Sequence, residues 1–272
     1  MPLDNVRKFA KKTDKPLILV TNDDGIDAEG INTLVAALAG IGRVVVAAPS
    51  KEQSASSHAI TLHRPIYIEE RGVDRWAIGG TPVDCVNLAL NFLLDARPDL
   101  IMSGINHGGN VGEDVHYSGT VSAALEGGVL GVPSIAMSVI PSFGNLKPAK
   151  FHFEGAAKFA VHAAHAILNA KLSDTPVLNV NVPNVPMAEI TGAVITKQGT
   201  RHYNDVVNEH IDENGKKYLV ICGTDGGFKD EEGTDCWAVH RNLISIVPIR
   251  VDMTDESAQA SLRGLKELTT WK

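Results

Sequence analysis

The sequence predicts a doubly wound α/β sandwich on a mostly parallel sheet, with a strand-rich hairpin appendage toward its C-terminus. Three observations predict it. Short apolar runs end abruptly in turn residues, as strands buried on both faces do. Stretches with apolar residues at helical spacing alternate with those runs, the order expected of βαβ units. The chain has 272 residues, 44% hydrophobic and 21% charged, which suits a sizeable buried core and excludes intrinsic disorder.

The first strand is Leu17-Ile18-Leu19-Val20, which stops at Thr21-Asn22-Asp23-Asp24-Gly25. Glu29 to Leu38 follows as an amphipathic helix with Ile31, Leu34, Val35 and Leu38 on one face, and Gly40 is its stop signal. Val44 to Ala48 makes the second strand and ends at Pro49. Ile60 to Ile78 alternates and carries Tyr67, Ile68 and Trp76, the look of a hairpin. Thr81-Pro82 opens a helix through Leu94, with proline at its first turn. Asp99 to Met102 is a strand ending in Ser103-Gly104-Ile105-Asn106, and Val121 to Val129 reads as a helix. Ser134 to Val139 is a strand, His152 to Leu168 an alanine-rich helix, and Val177 to Val182 a strand. Residues from about 191 to 250 hold several short strands, with Asn214-Gly215 between hairpin arms, and Ser257 to Leu268 is a closing helix. The sum is one Rossmann-like, three-layer α/β/α domain: an α/β core over about 16–190 and an appendage over about 191–272.

The net charge of −7 argues against a protein that binds nucleic-acid polymers, which needs a basic face for the phosphates. Cys85, Cys222 and Cys236 are far apart and form no CxxC pair, a pattern of free thiols in a reducing compartment. The first fifteen residues carry Arg7, Lys8, Lys11, Lys12 and Lys15 without an apolar core, so no secretory signal is expected. The longest uncharged stretch, Gly127 to Leu146, is broken by Pro133, Pro141 and several glycines. It reads as a buried turn and strand rather than a membrane span. A cytoplasmic protein with no membrane partner is expected.

In open parallel sheets ligands bind beyond the carboxyl ends of the strands, at the switch point of the winding. Three such ends carry unusual polar residues: Asp23-Asp24, Ser50 to Ser57, and Ser103 to Asn110. Adjacent carboxylates repel unless a cation or strong donors lie between them. Asp23 and Asp24 either cap the next helix or hold a hard divalent ion, and neighbouring oxygen-rich loops favour the ion. Ser103 to Gly112 holds four glycines and two asparagines, so it is either an ordinary tight connection or a loop whose N–H groups approach an anion. No Walker or GxGxxG pattern accompanies it. Ser118 or Thr120 before the Val121 helix serves as a cap, or as part of a phosphate site at a helix N-terminus. Ser54 and Ser56-Ser57 offer hydroxyls after the second strand, with capping as the alternative.

Other candidates fall away. His162 and His165 lack the glutamate of an HExxH motif, and His58, His63, His107 and His116 have no zinc spacing. No GxSxG elbow is present. The aspartyl-nucleophile phosphatases need Asp-x-Asp, which Asn22-Asp23-Asp24-Gly25 does not supply. Asp225-Gly226-Gly227 and Asp230 to Glu232 read as solvated turns.

Five separated motifs in one order resemble the SurE family of stationary-phase survival proteins: Ile18 to Ile26; Ala48-Pro49 with Gln53-Ser54; Gly80 to Cys85; Ser103 to Asn106 with Gly109-Asn110; and Tyr117 to Thr120. The likeness runs from about residue 16 to the C-terminus. It implies a metal-dependent phosphatase of nucleoside 5′- and 3′-monophosphates using Mg²⁺ or Mn²⁺, with short polyphosphate as a side substrate. By motif position, Asp23, Asp24, Ser54 and Asn106 are the implied metal ligands, with Asp23 and Asp24 catalytic. Asn110, Ser118, Gly119 and Thr120 are the implied phosphate contacts. A homodimer or homotetramer joined through the C-terminal region is also implied. Residues 1–15 precede the point where many members begin and are expected to be a mobile extension. The rival reading is a sensor that binds a nucleotide or phosphate without hydrolysing it.

Overall fold

The computed structural model describes residues 15–143, 148–170 and 174–270, with the side chains of 204, 205, 222–225 and 267 outside that description. The expected extension, apart from Lys15, therefore lies outside the described residues.

The chain runs β1 (Leu17–Thr21), α1 (Glu29–Leu38), β2 (Arg43–Pro49), β3 (Ile68–Gly72), β4 (Arg75–Ile78) and α2 (Pro82–Leu88), which continues into a π turn, Ala89–Leu93. Next come β5 (Leu100–His107), a 3₁₀ turn (Gly112–His116), α3 (Gly119–Val129), β6 (Ser134–Ile140), α4 (Phe153–Asn169) and β7 (Val177–Pro183). The remainder is β8 (Gly192–Ile195), β9 (Arg201–Ile211), β10 (Lys217–Phe228), α5 (Asp235–His240), β11 (Leu243–Ile249), α6 (Glu256–Leu262) and α7 (Lys266–Thr269).

Nine strands form one sheet in the order β3-β4-β2-β1-β5-β6-β7-β11-β8. From β4 through β7 all neighbours are parallel, while β3 and β11 run antiparallel to β4 and β7. The winding reverses between β1 and β5, so the switch point falls where the three polar strand ends meet. Alternation along β1 divides the core. Ile18 and Val20 pack toward α1 and α4 with Leu34, Leu38 and Ala160, whereas Leu17 and Leu19 pack toward α2 and α3 with Val86, Leu90 and Ala123.

Four expectations need correction. The helix from Thr81 to Leu94 is regular only to Leu88 and then widens into a π turn. Residues 191–272 are not one appendage, because β8 and β11 join the main sheet. Only β9 and β10 form a separate ribbon; they are long, and Asp225-Gly226-Gly227 lies in β10, not in a turn. The closing helix divides into α6 and α7. Gly127–Leu146 is, as far as it is described, the end of α3, a turn and buried β6, and no described helix is long and apolar enough to cross a membrane.

Helix α1 sits unusually close to β5: a Cβ on Gly30 would lie 1.9 Å from the Ile105 carbonyl oxygen. Helix propensity alone favours Gly30→Ala by about 1 kcal/mol, but overpacking costs roughly 1–3 kcal/mol or more. Gly30→Ala is expected to lower the midpoint of urea unfolding; a raised midpoint would contradict this close approach.

Candidate active site

The ends of β1, β2 and β5 open into a cavity of about 1190 Å³. Asp23, Asp24, Ser54, Asn106, Asn110 and Ser118 all line it. Six residues expected from four separate motifs thus share one space. Gly119 and Thr120 stand behind it, at the start of α3.

Asp23 is almost fully buried and faces α3. The Thr120 hydroxyl donates to its Oδ1. Thr120 is itself wholly buried and its hydroxyl is engaged by Asp23, so its side chain holds a carboxylate and only its backbone N–H is left for the implied phosphate contact. A Cβ on Gly119 would fall 2.7 Å from Ser56 Oγ and 2.9 Å from Asp23 Cβ, so only glycine lets α3 begin so near β1. Ser118 caps α3 by accepting from the Val121 N–H at 3.1 Å. A capping hydroxyl keeps its own proton, so Ser118 can still donate into the cavity.

Asp24 points to the opposite face and meets His107, a partner the sequence did not reveal. His107 Nδ1 lies 3.0 Å from Asp24 Oδ2, and the His107 N–H donates to the same oxygen at 3.2 Å. The hydrogen bond to Asp24 raises the His107 pKa, favouring imidazolium. Phe151 and Phe153 meet the ring edge-on, with centroids at 5.2 and 4.9 Å, and fix its plane. No spacing rule in the sequence signals this pairing.

Asn106 depends on an irregularity. Strand β5 was expected to end at Met102 but continues to His107, and against β6 it shifts register between Ser103 and Asn106. Gly104, at φ +135°, sits in the bulge, and a Cβ there would meet the Met137 carbonyl oxygen at 2.3 Å. Ser103 pairs with Ala136 and Asn106 with Ser138, so the inserted residue brings both onto one face. The Asn106 Nδ2 donates to the Gly108 carbonyl at 2.8 Å, a bond that leaves Oδ1 unused.

Asn110 is the most tightly held residue of the loop. Its N–H donates to Asn181 Oδ1 (2.8 Å), its carbonyl accepts from Asn179 (2.7 Å) and Asn181 (3.0 Å), and its Nδ2 donates to Ser138 Oγ (2.8 Å). Ser54 donates to Glu52 at 2.8 Å. Its loop is pinned by the Gln53 N–H on the Asp23 carbonyl (2.7 Å), by Ser57 Oγ on the His116 carbonyl (2.6 Å), and by the His58–Glu126 pair (3.0 Å).

Burial raises the Asp23 pKa to about 6, and the adjacent Asp24 charge adds to the rise while Thr120 opposes it. A divalent cation would reverse that cost. The donors available from Asp23, Asp24, Ser54 and Asn106 are all hard oxygens, the set Mg²⁺ or Mn²⁺ takes. Among the described residues no three His, Cys, Asp or Glu side chains cluster for a metal; here two carboxylates, a hydroxyl and an amide line one cavity.

The family described as Survival protein SurE matches residues 18–205. The chain belongs to the SurE family. A protein of Pelobacter propionicus named 5′-nucleotidase SurE is 44% identical over 254 residues, 93% of this chain and 98% of that protein. One of Myxococcus xanthus with the same name is 46% identical over 250 residues, 91% of this chain and 92% of that protein. The crystal structure of the SurE protein from Aquifex aeolicus superposes with a TM-score of 0.80 at 40% identity, covering 92% of this chain and all of that one. The α/β sandwich is therefore that of a solved SurE protein.

Asp23 has a folded pKa of about 6 against an ordinary 3.8. Between those values the native state holds more protons than the unfolded chain, so its contribution to stability falls as pH rises through that window. In EDTA at pH 7.5, Asp23→Asn is expected to stabilise the protein by up to roughly 3 kcal/mol, because the amide keeps an acceptor for Thr120 and loses the buried charge. The gain in thermal midpoint should vanish below pH 4, near the ordinary carboxylate value. Equal midpoints at pH 7.5 would show that Asp23 carries no such strain.

Proposed function

We propose that this chain is a divalent-metal-dependent phosphomonoesterase that releases phosphate from nucleoside 5′- and 3′-monophosphates. The observation that carries the reading is the convergence of Asp23, Asp24, Ser54 and Asn106 with Ser118 on one cavity. The relatives named 5′-nucleotidase SurE support a nucleotide as substrate.

Asp23, Asp24, Ser54 and Asn106 would hold Mg²⁺ or Mn²⁺. Such an ion supplies Lewis-acid polarisation of a phosphoryl oxygen and lowers the pKa of water. The chain does the rest. His107 fixes Asp24 through two donors on one oxygen, which keeps the other oxygen available. The Thr120 hydroxyl fixes Asp23 through Oδ1. The Ser118 hydroxyl and the Gly119 N–H, at the positive end of α3, stabilise charge on the phosphoryl oxygens. Asp23 and Asp24 are the carboxylates in place to orient the attacking water.

Apart from His107, the remaining ionisable side chains of the lining are the acidic Glu29, Glu52 and Asp114, with no Lys or Arg among the described lining residues. That favours a single phosphate over short polyphosphate. Buried free thiols at Cys85 and Cys236 fit the reducing cytoplasm. On the ribbon face away from the cavity Val206, Tyr218 and Val220 are exposed, and an isolated two-stranded ribbon needs cover, which supports a homodimer or homotetramer joined through this region.

Phosphate release from a panel of nucleoside 5′- and 3′-monophosphates, with Mg²⁺, Mn²⁺ or EDTA, tests the proposal. Release is expected with metal and not with EDTA, and Asp23→Asn or Asp24→Asn should lower kcat/KM by about 100-fold or more. Full activity in either variant, or release in EDTA, overturns it. Binding without release by folded protein would leave a nucleotide sensor.

A further inference from the structure

The cavity is far larger than a phosphate needs, and two kinds of side chain line it. The strand ends and the start of α3 bring the carboxylates, Ser54, Asn106 and Ser118. The β9–β10 ribbon brings Tyr203, Val207 and Ile221. Val207 and Ile221 are directly paired across the ribbon, and Tyr203 lies four residues before Val207 on the same strand, so the three share one face. These side chains are 44%, 58% and 82% exposed, an open apolar wall facing an acidic, oxygen-rich floor.

The Tyr203 ring is held in place. Its hydroxyl donates to Asp114 Oδ1, and the guanidinium of Arg201, itself buried, lies 5.1 Å from its centroid. Arg201 is anchored in turn by its N–H on Glu113 Oε2 at 2.7 Å and by the Phe143 ring at 4.9 Å. A ring fixed at its hydroxyl and backed by a cation loses little entropy when something flat stacks on it.

Charge then orients the ligand. The three residues the ribbon contributes to the lining, Tyr203, Val207 and Ile221, carry no charge, and beside them stands Asp114 with no Lys or Arg in the described lining, so an uncharged part of a phosphate ester suits the ribbon side. We propose that Tyr203, with Val207 and Ile221 beside it, is the stacking wall for the base of a nucleoside monophosphate whose phosphate sits at the Asp23–Asp24 end. The inference rests on the phosphomonoesterase reading and deepens it by naming the specificity surface. Because every base offers a π face, such a wall accepts purines and pyrimidines alike.

The test is KM and kcat for AMP, UMP and glycerol 2-phosphate in Mg²⁺, with Tyr203→Ala, Tyr203→Leu and Tyr203→Phe, each checked for an unchanged circular dichroism spectrum. Tyr203→Ala and Tyr203→Leu are expected to raise KM for AMP and UMP by about 5- to 100-fold. KM for glycerol 2-phosphate, which has no ring to stack, should rise far less. Tyr203→Phe should restore most of the affinity, since the ring and not the Asp114 bond is the contact. An equal KM rise for all three substrates, or a Tyr203→Leu variant that matches Tyr203→Phe, overturns the proposal. Equilibrium dialysis of AMP and of inorganic phosphate against the same variants keeps the two readings apart. A loss confined to AMP supports the wall even if no substrate turns over, and equal binding of AMP by all four proteins refutes the wall even if hydrolysis is vigorous.

Discussion

Two neighbouring carboxylates at the end of a buried strand are the constraint on which the rest of this structure depends. Left alone, Asp23 and Asp24 would repel each other, and Asp23 is also cut off from water. The fold resolves this by sending them to opposite faces of the sheet. Asp23 turns to the start of α3 and takes the Thr120 hydroxyl; Asp24 turns toward α4 and takes two donors from His107. Each arrangement offsets charge with dipoles or a cation fixed in the backbone, and each leaves part of the carboxylate directed at the cavity.

Holding those donors in place accounts for several features that look merely structural. Gly119 lets α3 begin against Asp23, and Gly30 lets α1 approach β5 close to His107. The buried asparagines of β7 are a further support. Asn179 and Asn181 would cost stability in an apolar sheet if unpaired, yet their amides satisfy the backbone of Asn110 and so fasten the glycine-rich loop to the sheet centre. Asp84 does the same for the far end of the serine loop, accepting from the N–H groups of Thr61 and Thr81, both at 2.8 Å.

Much of this was legible in the sequence because it follows from short-range pattern. The bounds of α1 agree to the residue, and β1, β2, β6 and β7 agree to within one residue at each end, since continuous apolar runs with turn residues after them leave few alternatives. The convergence of Asp23, Ser54 and Asn106 was legible from the switch-point rule. What escaped depends on tertiary contact. The bulge that re-aims Asn106 needs β6 beside it, and glycines at 104, 108 and 109 give no hint which one is strained. β11 reads as one more short strand in a polar region, and only its antiparallel pairing with β7 places it in the main sheet. The bond from the Thr120 hydroxyl to Asp23 could not be read from Ser118-Gly119-Thr120. His107 and Tyr203 reach the site across long sequence separations, which leave no periodic signal.

The β9–β10 ribbon joins these themes. Its period-two alternation gives two faces: Tyr203, Val207 and Ile221 share one, while Val206, Tyr218 and Val220 share the other. A ribbon of two strands cannot bury both faces by itself, so each must find cover elsewhere. The root of the first face borrows the site's own 3₁₀ turn, through Tyr203 on Asp114 and the Arg201 N–H on Glu113. The same contacts tie the ribbon to a turn whose Asp114 lines the cavity beside Tyr203. Ribbon position and cavity shape are therefore one variable, because Asp114 lies in the turn that leads from the Asn110 loop into α3. A displacement of the ribbon must be transmitted to Ser118 and the start of α3 or must break the Tyr203–Asp114 bond.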